Sequence, residues 1–171
     1  MTLSLGKLLE ASLNTDKDLI YLKDEIELVQ AYVHIQQVRY RHKFEVTCEY
    51  DEDILYALVP KLSLQPLVEN AIIHGIGPLP GNGLIEIKVY REGSGKLIVE
   101  IKDNGVGIEK SKLKRTERRR PGIGLSNIEE RLRLLFRGEG SMDILSSDQG
   151  VTVRFTLPFL LSTPYGTEHP A

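Results

Sequence analysis

Two neighbouring runs of alternating residues, joined by a short link, constrain the fold of this chain most strongly. Their apolar residues fall on every second position, at Ile85, Ile87 and Val89 and again at Leu97, Val99 and Ile101. Such alternation is typical of strands that bury one face. The link, residues 92–95 (Glu-Gly-Ser-Gly), is short and rich in turn-forming residues. The two runs are therefore predicted to form an antiparallel hairpin.

Helices and further strands are predicted on both sides of this hairpin. Helical spacing of apolar residues predicts helices over residues 20–40, from Pro66 to the glycines and prolines of residues 75–81, and over residues 125–136. Strands are predicted over residues 44–50, 141–146 and 151–157. This irregular order of helices and antiparallel strands favours an α+β fold with helices on one face of a single sheet.

The first predicted helix carries one apolar stripe, formed by Leu22, Ile26, Val29 and Val33. This stripe fits a helix that faces the core of its own domain. It also fits a helix that partly meets a second helix from outside the chain. Both interpretations stay open at the level of sequence.

Composition excludes several classes of protein. The 171 residues fit one domain, and 41% apolar with 27% charged residues is the balance of a soluble globular protein. A net charge of −2 gives no reason to expect binding to nucleic acid. Cys48 is the only cysteine, so no internal disulfide can form. No apolar run is long enough to span a membrane, and the N-terminus does not resemble a signal peptide.

Asp103 is the first candidate for a functional residue. It has the same parity as Leu97, Val99 and Ile101, so its carboxylate is predicted to continue the inward face of its strand. A buried carboxylate needs a partner, and the amino group of a purine would be one. Alternatively, Asp103 caps the turn that follows, since Asp-Asn-Gly is a common turn sequence. Gly105 and Gly107 favour the first interpretation, because glycine allows a flat ring to approach the backbone closely.

A second polar cluster lies on the predicted helix that follows Pro66. Asn70 and His74 are four residues apart and share one helix face, and Glu69 lies beside them. An amide oxygen can bind Mg²⁺, a histidine can donate to a phosphate, and a carboxylate can accept a proton. The alternative is a polar helix edge that faces solvent. No second histidine or cysteine stands at the spacing of a zinc site.

Glycines also precede the third predicted helix. Gly122 and Gly124 would let an anion approach the free N–H groups at its start, although this pattern alone is weak and lacks the ending of a P-loop. Between residues 110 and 120 lie seven basic side chains. They form either a solvated charged loop or a mobile lid that neutralises a triphosphate.

Taken together, residues 69–75, 103–108 and 122–125 resemble the N, G1 and G2 boxes of the GHKL ATP-binding superfamily, which includes gyrase, Hsp-type chaperones, histidine kinases and MutL. Within it, residues 64–71 (Leu-Gln-Pro-Leu-Val-Glu-Asn-Ala) and 32–36 (Tyr-Val-His-Ile-Gln) look like the LytS/YesM-type sensor histidine kinases. The resemblance covers roughly residues 20–158. It implies the Bergerat-type two-layer α/β sandwich with a mixed, mostly antiparallel sheet.

This resemblance also implies an activity: ATP with Mg²⁺ as cofactor, and phosphoryl transfer to a histidine and then to a response regulator. It further implies that the full-length protein is a homodimer and a plasma-membrane sensor, with this part of it in the cytoplasm. Carried over by position, Asp103 binds adenine, Asn70 holds Mg²⁺, His74 contacts phosphate and Glu69 assists proton removal from the acceptor. The residues that would line the nucleotide are Gly105, Gly107, Gly122, Ile123, Gly124 and Leu125.

One departure from the family pattern matters. The family carries its phosphoacceptor in an Asn-Pro-His-Phe-type motif, which this sequence lacks, since His34, His42 and His169 stand in other contexts. Residues 1–41 are therefore interpreted as the end of a dimerisation segment, residues 42–160 as the ATP-binding domain and residues 161–171 as a mobile tail. A different GHKL ATPase and an inactive nucleotide-binding module are the two alternatives.

Overall fold

The computed structural model describes residues 18–108 and 123–161. This part of the chain contains seven strands and three α-helices. The strands are β1 (Leu19–Tyr21), β2 (Phe44–Tyr50), β3 (Leu58–Pro60), β4 (Gly83–Glu92), β5 (Lys96–Asp103), β6 (Ser141–Ser147) and β7 (Gly150–Pro158). The α-helices are α1 (Leu22–Arg39), α2 (Gln65–Asn70) and α3 (Ile123–Leu135). A 3-10 turn covers Glu52–Ile54, and a π-helix, Ala71–Ile76, directly continues α2.

Five strands form one mixed sheet in the order β2-β4-β5-β7-β6. β2 runs parallel to β4, and every other neighbouring pair in this sheet is antiparallel. The hairpin predicted from the alternating runs is confirmed as β4 and β5, with Ile87 opposite Ile101 and Ile85 opposite Asp103. The α+β fold with a mixed, mostly antiparallel sheet is therefore confirmed.

One face of the sheet carries the hydrophobic core. The inward residues of β4, β5 and β7 pack with buried residues of all three helices into a single cluster. Because α1 contributes Leu22, Ile26, Val29 and Val33 to this cluster, its apolar stripe faces the core of its own domain. The helices thus lie on one face, as predicted.

The opposite face of the sheet is mostly polar, which explains the alternation in the sequence. Ion pairs join neighbouring strands there: Glu49 with Lys88 at 3.0 Å, Glu86 with Lys102 at 3.5 Å and Glu100 with Arg154 at 3.1 Å. The side chains of these pairs are at least partly exposed, and such pairs add little to stability. Their main effect is to keep this face in water.

Two local differences from the sequence prediction have physical causes. The first helix begins at Leu22, because residues 19–21 pair with Leu58–Pro60 as a separate two-stranded sheet. Strands of three residues are too short to show a period, so neither was predicted. The second helix ends in a wider π-helical turn, in which the N–H of Gly77 bonds the carbonyl oxygen of Ile72 at 2.8 Å.

Three predicted features lie outside the described residues: the basic loop at 110–120, Gly122, and most of the tail at 161–171. Within residues 18–108 and 123–161, no helix is both long enough and apolar enough to cross a membrane.

Candidate functional site

A cavity of about 430 Å³ lies between the helical layer and the sheet. Cavities of this size are typical of small-molecule sites. The helix that contains α2 and its π-helical continuation forms one wall, through Leu67, Asn70, Ala71, His74 and Gly75. Strands β5, β6 and β7 form the opposite wall, through Ile101, Asp103, Ile144, Val151 and Val153. Gly107, Ile108 and Leu125 complete the lining. The cavity thus combines an apolar interior with a few polar groups.

Asp103 ends strand β5 with its side chain directed inward, as its parity predicts. It is 5% exposed, and its Oδ1 accepts hydrogen bonds from the N–H of Gly105 at 2.8 Å and of Val151 at 3.4 Å. Burial raises the pKa of this carboxyl group, and the two N–H donors partly oppose that shift. The interpretation of Asp103 as the cap of its turn is therefore confirmed, and the same carboxylate borders the cavity, where binding to a purine stays a prediction.

The glycine turn after Asp103 packs tightly against the helix wall. A Cβ on Gly105 would lie 2.3 Å from the carbonyl carbon of Gly75, and the N–H of Val106 bonds the Gly75 oxygen at 3.1 Å. Gly107 has a φ of +69°, a left-handed conformation that favours glycine. Glycine is needed at position 105 so that one backbone can approach another, which the sequence had suggested only for a bound ring.

Asn70 and His74 line the same cavity as Asp103, so two of the predicted motifs converge. Asn70 is half-buried and His74 is exposed. Within the described part of the chain, no hydrogen bond engages the side-chain amide of Asn70. Its oxygen can therefore accept a further partner from the cavity, and Leu125, in the first turn of α3, brings the third motif to the same place.

The remaining predicted residues have different positions. Glu69 is half-buried and does not line the cavity. Its charge instead acts on Tyr32 of α1. The pKa of this tyrosine is raised to about 12, mainly by burial and then by the charge of Glu69. Gly105 lines a neighbouring open groove that shares Asp103 with the cavity. Ile123 and Gly124 begin helix α3, and Gly122 lies outside the described residues.

Several lining residues escaped the sequence analysis. Ile144 of β6 and Val151 and Val153 of β7 reach the cavity because β7 lies beside β5 in the sheet, and strand order cannot be derived from local periodicity. Gly75 was quoted in the motif but given no role. A Cβ at Gly75 would lie 2.7 Å from Oδ1 of Asp103, so glycine lets the helix approach this carboxylate. In the sequence, the signal available for this role was the position of Gly75 directly after His74.

A metal ion at this site would need ligands from water and from substrate phosphates as well as from the protein. The described residues contain no cluster of three or more His, Cys, Asp or Glu side chains that could hold a metal. A single amide oxygen at Asn70 matches the way Mg²⁺ is often held, with one or two protein ligands, water and substrate phosphates.

Comparison with known proteins agrees with this geometry. Residues 60–161 match the model of the family described as histidine kinase-, DNA gyrase B- and HSP90-like ATPase. The chain belongs to this ATPase family. Residues 1–44 match the model described as histidine kinase. The first match confirms the resemblance found in the three sequence motifs. As a member of this ATPase family, the domain binds ATP.

Several sequence relatives of this chain are sensor proteins. It is 35% identical to the sensor histidine kinase YesM of Bacillus subtilis, over 92% of this chain and 27% of the relative. It is 36% identical to the sensor histidine kinase YpdA of Escherichia coli, over 84% and 25%, and 32% identical to the sensor protein LytS of Oceanobacillus iheyensis, over 91% and 28%. The chain thus spans about a quarter of the length of these relatives.

Solved structures share the fold of the ATPase domain. The histidine kinase domain of a blue-light activated kinase from Erythrobacter litoralis aligns with a TM-score of 0.61 and 19% identity, covering 91% of this chain and 75% of that one. The catalytic domain of the histidine kinase ThkA aligns with a TM-score of 0.59 and 19% identity, covering 84% and 99%.

Proposed function

We propose that this ATPase domain is the catalytic domain of a two-component sensor histidine kinase, and that it transfers the γ-phosphoryl group of ATP to a histidine that is not one of the four in this sequence. The observation that carries the proposal is the single cavity that Asp103 shares with Asn70 and His74. An acceptor for an amino group at one end and phosphate-directed groups at the other suit a purine nucleotide.

The inner end of the cavity would take the adenine ring. Ile101, Val151 and Val153 offer an apolar surface for a flat ring, and Asp103 offers a carboxylate to its amino group. Because Gly105 and Val151 occupy Oδ1, the second oxygen of the carboxylate would meet the base. Gly107 and Leu125 would border the nucleotide further along.

The phosphates would extend along the helix wall. His74 would donate to a phosphate oxygen, and Asn70 would hold Mg²⁺, which would neutralise charge on the phosphates during transfer. Glu69 lies beside Asn70 in the sequence but outside the lining of the cavity, so it would act at the rim. There it would accept a proton from the attacking histidine. Gly122, Ile123 and Gly124 would place backbone N–H groups near the phosphates.

The surrounding organisation is part of the same proposal. Residues 1–41 would continue a dimerisation segment that carries the acceptor histidine, and the full-length protein would be a dimeric membrane sensor with this domain in the cytoplasm. A response regulator would receive the phosphoryl group from the histidine. The matches to sensor kinases over about a quarter of their length support this arrangement.

Titration with ATP, with and without Mg²⁺, tests the site, and NMR shift mapping locates it. The acceptor-histidine helix of a related sensor kinase, supplied in trans, tests the reaction. Phosphohistidine on that helix is the expected product, and binding without transfer would leave only a nucleotide-binding module. Rapid hydrolysis of ATP without transfer would instead identify a different ATPase of this family.

A further inference from the structure

A buried carboxylate outside the cavity links α1 to the helix that carries Asn70. Glu25 lies in the first turn of α1 and is 0% exposed. It accepts hydrogen bonds from the backbone N–H of Leu62, and from those of Ser63 and Leu64 at 3.1 Å each. These N–H groups immediately precede α2, whose first residue is Gln65. The start of α2 is thus held by a side chain from a different helix.

Helix α3 holds the same loop from another side. Nη2 of Arg131 donates to the carbonyl oxygen of Lys61 at 3.0 Å. Burial raises the pKa of Glu25, while the three N–H donors and the charge of Arg131 oppose that rise. The carboxylate and the guanidinium therefore fix residues 61–64 between α1 and α3.

This loop depends on those contacts for its shape. Leu62 has a φ of +54°, in the left-handed region that residues with a Cβ seldom occupy. Such a conformation persists only where its surroundings hold it in place. If α1 moved without the loop, three N–H groups would lose their acceptor in the interior, which is unfavourable. These hydrogen bonds therefore join the first turn of α1 to the loop and to the start of α2.

The same helix leads directly into the cavity. Asn70 ends α2, and His74 lies one turn further along its π-helical continuation. Helix α1, in turn, lies in the region that matches the histidine kinase model, residues 1–44. We infer that Glu25 is a positioning residue that couples the placement of α1 to the placement of Asn70 and His74 opposite Asp103. This inference rests on the proposed function, and it makes nucleotide affinity depend on the placement of α1.

Three variants test the coupling: Glu25→Ala, Glu25→Gln and, as a matched control, Val29→Ala. Val29 lies one turn further along α1, is 3% exposed and packs in the core, so its truncation lowers stability while the hydrogen bonds that Glu25 accepts stay in place. Urea unfolding gives the stability of each variant, calorimetry gives the Kd for ATP, and hydrogen exchange without nucleotide gives the protection of residues 65–76.

Glu25→Ala is expected to raise the Kd for ATP at least about fivefold, the lower end of the range for coupled sites. Glu25→Gln is expected to restore part of the affinity, because its amide oxygen can still accept hydrogen bonds. Exchange should accelerate in residues 65–76 more than in β6 and β7. Val29→Ala should leave both the Kd and this regional pattern unchanged.

Equal effects of Glu25→Ala and Val29→Ala on Kd, at equal loss of stability, would overturn the inference. If Glu25→Ala does not fold, Glu25→Gln and Arg131→Gln decide, and an unchanged Kd in both would reject it. If the wild-type domain does not bind ATP, the proposed function fails, but the exchange comparison still judges the coupling. Uniform acceleration across the domain would then reject it.

Discussion

Replacing Asp103 by asparagine should separate binding from stability. In the wild type, Oδ1 accepts from Gly105 and Val151. An asparagine at this position would keep that arrangement with its amide oxygen, so its NH₂ group would occupy the place of the second carboxylate oxygen. A donor would then meet the amino group of adenine, which is also a donor. We expect ATP binding to weaken by about 1–3 kcal/mol, the cost of leaving a buried polar group without its hydrogen-bond partner.

The stability of the unliganded domain should respond in the opposite direction. Because burial raises the folded-state pKa of Asp103, the carboxyl group favours folding below its unfolded pKa, and this contribution is lost as pH rises through the folded value. The asparagine variant has no such titration. At neutral pH it is therefore expected to be at least as stable as the wild type, although it binds ATP less well.

Calorimetry at neutral pH measures the first effect as an increase in Kd of about 5- to 150-fold, and urea unfolding at several pH values measures the second. Asp143→Asn is a matched control, since it removes the same charge from an exposed position on β6. An unchanged Kd in the Asp103 variant would refute the adenine assignment. A variant that bound weakly only because it unfolded would refute the separation of the two effects.

Three further variants or modifications follow from the same geometry. Asn70→Ala is expected to abolish phosphoryl transfer while circular dichroism shows an intact fold, and normal transfer would rule out its role with Mg²⁺. Gly105→Ala would place a Cβ 2.3 Å from the carbonyl carbon of Gly75. We expect urea unfolding to show a loss of about 1–3 kcal/mol of stability. Unchanged stability would contradict the tight packing. Burial raises the pKa of Cys48 to about 11. At pH 8, iodoacetamide should therefore modify Cys48 more slowly in the folded domain than in the urea-unfolded chain. Equal rates would contradict that burial.

Local patterns in the sequence were enough to predict the hairpin and the direction of Asp103. Both depend on a period of two along one strand, and the observed pairing of Ile85 with Asp103 follows from it. The convergence of Asn70 and Asp103 needed the family resemblance, because no local pattern shows that β5 lies beneath the helix that follows Pro66.

Features that depend on distant pairing were not predicted. The two-stranded sheet of β1 and β3 joins residues about forty positions apart, and the walls contributed by β6 and β7 depend on strand order. The anchor at Glu25 had a signal in the sequence, since an acidic residue stands three positions after Leu22 and four before Val29, within the apolar stripe. Its donors, the N–H groups of residues 62–64, could only be found in the structure.

The shared core of α1 and the sheet means that the unit that folds is larger than the unit that carries out chemistry. A cut at residues 41–42, where the two sequence regions were divided, would strip Leu22, Ile26, Val29, Tyr32 and Val33 from the interior. It would also remove the only acceptor that the described residues provide for the amides before α2. Helix α1 and the ATPase domain would therefore have to be exchanged together, because neither can be replaced at that boundary without rebuilding the other.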